Sequence, residues 1–324
     1  MYDVYGVGNA IVDVIVEIED QFLTKANLDK GHMTLVDQTQ MNTLGNSLKS
    51  YPRLKMSGGS AANTIFAIQA FGGTTAYACR FSEDDNGRFF YEESDRAGIS
   101  INPKCISKSG DTGQCLVLIT PDAERTMTTN LGISSDLESI NLDQEAILNS
   151  RYLYLEGYLA TSAQSTETAL IAREIARSAG KKVAVTLSDA SLIEHFREPL
   201  ESLVGNGVDL LFCNQEECLA WAKTDSLDFA IREIREITKE AYITLGSEGS
   251  IAISKTGETK IPTDKVVPLD TNGAGDIYAG ACIFARSNGL AEDAAAAFGN
   301  KCAGSIVQQP GARFTSIDAY QRLM

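Results

Sequence analysis

The sequence predicts an α/β protein with a mainly parallel central sheet, helices on both faces and a few extra strands attached to it. Three observations lead there. From about residue 150 onward, strand-like and helix-like segments alternate, the pattern of βα units feeding a parallel sheet. In the N-terminal half, strand-like runs around 11–18 and 113–130 have no helix between partners, which points to a small antiparallel appendage. The hydrophobic fraction, 44% of 324 residues, is ample for a packed core, and no repeat, low-complexity tract or linker divides the chain.

The elements follow in order. Residues 2–7 form a short apolar run ending at Gly8. Residues 11–18 alternate, with Val12, Val14, Val16 and Ile18 on one face and Asp13 and Glu17 on the other, as in a half-exposed strand. Residues 61–71 are apolar at helical spacing and stop at Gly72-Gly73, a C-cap signal. Residues 113–120 and 125–130 read as two strands around the turn 121–124. Then come a strand at 152–155, a helix at 165–178, strands at 183–187 and 208–213, and a helix at 215–222. Strands at 241–245 and 250–254 flank a glycine turn, and helices at 274–287 and 291–308 complete the pattern. In such sheets, ligands bind beyond the carboxyl ends of the strands.

Composition excludes several function classes. There are 28 Lys+Arg against 43 Asp+Glu, a net charge of −15, whereas a duplex nucleic-acid binder needs a basic surface. The only histidines, His32 and His195, cannot form an HExxH metal site and do not lie in an HRD catalytic loop. Seven cysteines without a CxxC pair read as buried, reduced thiols rather than a disulfide scaffold or zinc ribbon. Met1 leads straight into a strand-like run, and no apolar stretch approaches the ~18 residues of a membrane span. A soluble, cytoplasmic protein without membrane partners is expected.

Three glycine-rich segments are candidate phosphate loops. Gly6-Val7-Gly8-Asn9-Ala10-Ile11 follows a strand, but its sixth position is Ile and a strand follows it. The dinucleotide fingerprint therefore fails, and GxxxxGK[ST] is absent. Ser57-Gly58-Gly59-Ser60-Ala61-Ala62-Asn63 opens a helix with small residues, which let a ligand approach the backbone closely, and adds the two-sided amide of Asn63. A plain turn with an N-cap explains it equally well. Asp270-Thr271-Asn272-Gly273-Ala274-Gly275-Asp276 places small residues at a helix start, where free N–H groups and the helix dipole bind anions. Asp276 could simply favour that dipole. Beside a bound phosphate it would be repelled unless it served as a base, the arrangement that phosphoryl transfer to an alcohol requires.

Together, segments 57–63 and 270–276 resemble the two signatures of the ribokinase-like (PfkB) carbohydrate and nucleoside kinases, an early GG-x-x-x-N and a late DTxGAGD. The resemblance extends to residues 8–13, 214–217 and 244–246 and spans nearly the whole chain. The Thr271-Asn272 pair, Glu124-Arg125-Thr126-Met127, Asn130-Leu131-Gly132, residues 153–158 and the insertion 21–37 look most like the adenosine kinase branch. The resemblance implies a ribokinase-like fold, that is, a Rossmann-like mainly parallel sheet with helices on both faces plus a small β-strand lid. It also implies one domain over 1–324, with the lid inserted discontinuously from about 11–37 and 105–130.

It further implies residue roles. Asp276 would take the proton of the acceptor hydroxyl, and Gly273, Ala274 and Gly275 would donate N–H bonds to the transferring phosphoryl group. Arg125 would reach the same phosphate from the lid. Asn9, Asp13, Gly58, Gly59 and Asn63 would hold ribose hydroxyls. Asn214 and Glu217 would organise Mg²⁺, largely through water, although NxxE is also a capping box. Thr244 and Gly246 would line the ATP path, with Asn300 and Ala303 at the adenine edge. A monovalent cation such as K⁺ near Asp270 and 309–313 is common in the family. The branch often stacks an aromatic on the base beyond Gly157. Here Tyr158 or Leu159 would take that place, with Leu35, Leu131 and Ile133 lining an apolar slot, although a lid core explains the same apolar residues.

The implied activity is ATP-dependent transfer to a primary hydroxyl of a ribosyl compound, with adenosine to AMP (purine salvage) leading. A ribokinase- or fructokinase-type sugar kinase and a kinase of another nucleoside stay open. A non-catalytic nucleotide-binding regulator is disfavoured by the intact Asp276 and 273–275. A monomer or a lid-mediated homodimer is compatible with the family.

Overall fold

The computed structural model describes every residue except His32, Ala123 and Thr256, so part of the expected turn at 121–124 lies outside the described residues. The central sheet has nine strands. In spatial order they are Gly257–Ile261, Ser250–Ser254, Thr238–Thr244, Val208–Asn214, Lys182–Thr186, Ser150–Glu156, Tyr2–Val7, Thr75–Ala78 and Ser100–Ile101. The pairings are parallel from Ser100–Ile101 through to Thr238–Thr244 and antiparallel only at the opposite edge.

Both sheet faces are covered, so the central strands are apolar on both sides. Along Ser150–Glu156, Leu153 and Leu155 face a core shared with Val183, Val185, Leu211 and the helix Ala163–Ser178. Tyr152 and Tyr154 face the opposite core with Phe212, Tyr242 and residues of Ser60–Ala70, Ala274–Ser287 and Glu292–Ile306. All seven cysteines are free and buried, as the composition implied. Among the described residues no helix is long and apolar enough to cross a membrane.

A second sheet of five strands stands over the carboxyl ends of the first. Its order is Met33–Leu35, Arg125–Gly132, Thr112–Ile119, Ile11–Glu17 and Leu54–Gly58. It is mixed rather than antiparallel: Ile11–Glu17 runs parallel to Thr112–Ile119, and Met33–Leu35 parallel to Arg125–Gly132. Met33–Leu35 is three residues long, and Leu54–Gly58 alternates only through Leu54 and Met56 before running into Ser57 and Gly58, so the expectation lacks both strands. The expected half-exposed strand is also covered on both faces. Val14 and Val16 pack on Leu116, Leu118, Leu23, Met41 and Leu48. Ile11 and Ile15 pack with Cys115 and Val117 on the other side, which also carries Asp13. The polar position marks a cleft rather than bulk solvent.

Helices Ser60–Ala70 and Ala274–Ser287 pack directly against each other beneath this cleft. They approach closely because Gly280 has no side chain: a Cβ there would sit 2.9 Å from both the Ala67 methyl and the Thr64 carbonyl oxygen. Gly280→Leu is therefore expected to destabilise the fold by about 1–3 kcal/mol through overpacking. Thermal unfolding checks this, and an unchanged midpoint would show that the helices can separate without penalty.

Candidate active site

The helix contact sets the environment of Asp276. Asp276 lies in the first turn of Ala274–Ser287, and Ser60 and Asn63 lie in the first turn of Ser60–Ala70. Ser60 donates its hydroxyl to Asp276 Oδ1 at 2.7 Å, and Asn63 Nδ2 donates to Oδ2 at 2.9 Å. Thr64 adds a hydroxyl bond to the Asp276 carbonyl at 3.2 Å. Burial pushes the Asp276 carboxyl up to about 6, while the Asn63 and Ser60 bonds and the charge of Arg313 pull it down.

The anion loop is shaped by what lies under it. Gly273 is the helix N-cap at φ 72°, a left-handed conformation suited to glycine. A Cβ there would also lie 2.5 Å from the Ala312 methyl. Gly311 donates its N–H to the Asp270 carboxylate, and Asn272 donates to the other Asp270 oxygen at 2.8 Å. Among the described residues, the N–H groups of Gly273 and Gly275 have no protein acceptor, whereas that of Ala274 reaches Thr271 at 3.3 Å. Two donors are thus aimed outward at a positive helix end.

Two cavities meet at Gly275. One, about 340 Å³, lies between the sheets and is lined by Asn9, Asp13, Gly59, Asn63, Tyr158 and Asp276 among others. Its second-sheet wall is mostly apolar, with Ile11, Met33, Leu35, Cys115, Val117, Met127 and Leu131, and Asp13 and Thr129 are its polar positions. The other, about 260 Å³, is lined by Thr244, Gly246, Ala274, Gly275, Asn300 and Ala303, with Val266, Pro268 and Val307 as apolar walls. Asn300 Nδ2 is tied to the carbonyls of Ile261 and Pro262 at 3.0 and 3.3 Å.

Most expected site residues therefore converge, but Ile133 lines a separate shallow pocket with Leu35 and Leu131 rather than the cleft, and three others do not sit as expected. Leu159 is fully buried in the main core and does not line the cleft, because the 3₁₀ turn Gly157–Thr161 points Tyr158 into the cleft instead. Arg125 is not free above the anion loop, because its guanidinium is ion-paired with the buried Asp270 carboxylate. Gly58 does not line the cleft but backs it: a Cβ there would meet the Asp13 carboxylate at 2.5 Å. Asn214 and Glu217 do line the cleft, and they also form the capping box: Asn214 Oδ1 accepts from Glu217 N at 2.8 Å, and Glu217 accepts from Asn214 N at 3.1 Å.

Sequence reasoning gave no role to three residues of this site. Ser60 lies inside a recognised motif but is an ordinary helix-start residue in sequence terms. Glu156 is fully buried and accepts the N–H groups of Asn9 and Ala61, each at 2.6 Å, so it fixes two backbone segments of the cleft. Its signal was a lone acid at the end of an apolar strand. Arg313, 5% exposed, donates from Nε to Asn63 Oδ1 at 2.8 Å and stacks on Phe66 at 4.6 Å. It lies in the 309–313 stretch named for a monovalent cation, but no local pattern marks its own side chain.

A desolvated carboxyl beside N–H groups without protein acceptors, where one cavity opens into another, suits phosphoryl transfer to an alcohol. The protein is a phosphotransferase that delivers a phosphoryl group to an alcohol. The profile of the pfkB family carbohydrate kinases matches residues 40–319, and the chain belongs to that family of ATP-dependent kinases. Among curated relatives, the adenosine kinase of Schizosaccharomyces pombe is 25% identical over 92% of both chains. Among solved structures, adenosine kinase from Sinorhizobium meliloti superposes with a TM-score of 0.91 at 30% identity, covering 99% of this chain and 98% of that one. A probable sugar kinase from Rhizobium etli superposes with a TM-score of 0.92 at 29% identity, covering 100% and 99%.

The cleft gathers buried acids. Desolvation is the leading cause that raises Asp13, Glu156 and Glu217 to about 7, as it raises Asp276 to about 6. Each binds its proton at higher pH in the folded chain than in the unfolded one. Across the window from about pH 4 to about 7 the folded state holds more protons, so these groups contribute less stability as pH rises. The ligand-free protein is expected to melt at a higher temperature at about pH 5.5 than at about pH 8, at constant ionic strength. A midpoint that climbs with pH over that range would contradict these shifts.

Proposed function

We propose that the chain transfers the γ-phosphoryl group of ATP to the primary ribosyl hydroxyl of adenosine. The observation that carries the choice of a nucleoside is the apolar wall facing the catalytic end of the larger cleft. A flat base buries well against Ile11, Met127, Cys115 and Leu131, whereas a free sugar would leave that surface against its hydroxyls. The adenosine kinases among the relatives support the same choice.

In this reading Asp276 accepts the hydroxyl proton as the oxygen attacks phosphorus in line. The Gly273 and Gly275 N–H groups stabilise the charge on the transferring group. Asp13 and the carbonyl and amide groups around Asn9 and Gly59 orient the ribose beneath the second sheet. ATP lies in the smaller cavity, with its base between the apolar walls and its phosphates pointing to Gly275. Arg125 reaches the phosphates only when its ion pair with Asp270 opens, and closure of the second sheet over the cleft excludes water.

The Asn214 and Glu217 pair fits magnesium. Among the described residues no group of three His, Cys, Asp or Glu could cage a metal. Glu217, however, is a desolvated carboxylate facing Asp189, Asp276 and Glu216, where divalent charge is welcome and waters complete the shell. When bound, the ion neutralises phosphate charge. Asn214 and Glu217 hold each other's side chains in place for it. A monovalent cation at Asp270 would have to share that carboxylate with Arg125 and two backbone donors.

The test is ADP release from Mg-ATP across adenosine, inosine, guanosine, cytidine, ribose and fructose, with Asp276→Asn alongside. Adenosine is expected to be the preferred acceptor, and the variant to lose at least ~10²-fold in turnover. Turnover with ribose or fructose but not adenosine would replace the nucleoside reading by a sugar kinase.

A further inference from the structure

We propose that Arg313 is a positioning residue for the base: by fixing the amide of Asn63, it holds Asp276 in its reactive orientation and charge state. The inference rests on the reading of Asp276 as the base, but it stands on contacts of its own.

Three successive residues of one loop each brace a different part of the site. Gly311 bonds the Asp270 carboxylate, Ala312 fills the space beside Gly273, and Arg313 grips Asn63. The last contact has a directional consequence. An arginine offers only donors, whereas an asparagine amide has a donor end and an acceptor end. The Arg313 Nε–H bond to Oδ1, 2.8 Å, therefore fixes which way the amide lies and commits Nδ2 to Asp276 Oδ2, 2.9 Å. A flipped amide would set its oxygen against a carboxylate oxygen. The guanidinium also stacks on Phe66, one turn beyond Asn63 on the same helix, so its plane is held from two points.

The charge matters as much as the bond. Asp276 is surrounded by Ser60 and Asn63 on one helix, Glu156 and Tyr154 at the end of their strand, Tyr158 in the following turn, Glu217 from beyond Val208–Asn214, and Asp13 from the second sheet. The acids of that set, Glu156, Glu217 and Asp13, disfavour a further negative charge beside them. Arg313 is the cation that opposes them at Asp276, and it acts on Asp13 in the same sense. Its Nη1 is buried without a hydrogen-bond partner. An unmade buried bond lowers stability, and a guanidinium kept there is better explained by its effect on the site than by packing.

The experiment follows the Asp276 carboxyl titration by ¹³C NMR in aspartate-labelled wild type, Arg313→Met and Arg313→Lys. The signal is assigned by its loss in Asp276→Asn. Steady-state turnover is measured alongside. In Arg313→Met the midpoint is expected to rise by about one pH unit. Turnover should fall roughly tenfold or more while KM for ATP stays within about twofold. In Arg313→Lys the charge remains but the fork is lost, so the midpoint stays near that of wild type and turnover falls several-fold. If Arg313→Met does not fold, the lysine variant decides, and wild-type turnover in it overturns the proposal. A folded Arg313→Met whose midpoint does not move also overturns it, whatever its turnover, because a merely structural role would leave the titration in place. Absence of wild-type turnover with every acceptor would instead remove the kinase reading and leave the titration to judge Arg313.

Discussion

The close approach of two helices, Ser60–Ala70 and Ala274–Ser287, is the constraint on which the site depends. They belong to opposite ends of the chain, and they meet because Gly280 leaves room for Ala67 and the Thr64 carbonyl. Their first turns then lie side by side, which is what brings the Ser60 hydroxyl and the Asn63 amide to Asp276. One helix supplies the carboxylate and the outward N–H groups, and the other supplies the bonds that orient that carboxylate. A rotation of either helix would break both bonds while leaving each sequence motif intact.

The chain places several acids near one another in a cleft whose wall, among the described residues, holds no histidine. Net charge of −15 makes this more demanding. The structure meets it with few cations, each used at close range. Arg125 neutralises Asp270 and ties the second sheet to the anion loop, and Arg313 opposes the cluster around Asp276. The proposed phosphate end of the site offers backbone N–H groups and a helix start rather than bulk positive charge, so an acidic protein can still receive ATP there. Acids held near neutrality by burial lower the stability of the empty protein, and such groups recur where proton transfer is needed.

Much of this was legible in sequence because it is local. The helices at Gln215–Ala222 and Ala274–Ser287 and the strand Ser250–Ser254 have the expected bounds, since apolar spacing and glycine stops define them. The strand Thr75–Ala78 and the helix Asp85–Ala97 are absent from the expectation. The first is four residues long, and the second has a largely polar sequence with few buried positions. Leu227–Ile237 is a different case: Leu227, Ala230, Ile231 and Ile234 repeat at helical spacing, so that helix was open to the sequence and the expectation lacks it. At the site, the glycine loops and Asp276 stand out because the chemistry is written in consecutive residues. The bonds from Ser60 and Asn63 to Asp276, the Arg313 grip on Asn63 and the Arg125 pair with Asp270 join distant segments, which no spacing rule reaches. Of the two residues expected beyond Gly157, Tyr158 faces the cleft and Leu159 the core, because a short 3₁₀ turn decides which side chain points where.

Packing and desolvation raise the Asp276 carboxyl to about 6, which suits the proton acceptor proposed for the transfer. The measurement that bears on it most directly is the pH dependence of turnover with Mg-ATP and saturating acceptor. Turnover is expected to fall about tenfold per unit below the Asp276 value of about 6 and to level off above it. Turnover that stays flat down to about pH 4.5 would mean that the carboxyl titrates like an ordinary exposed aspartate, or that it is not the base.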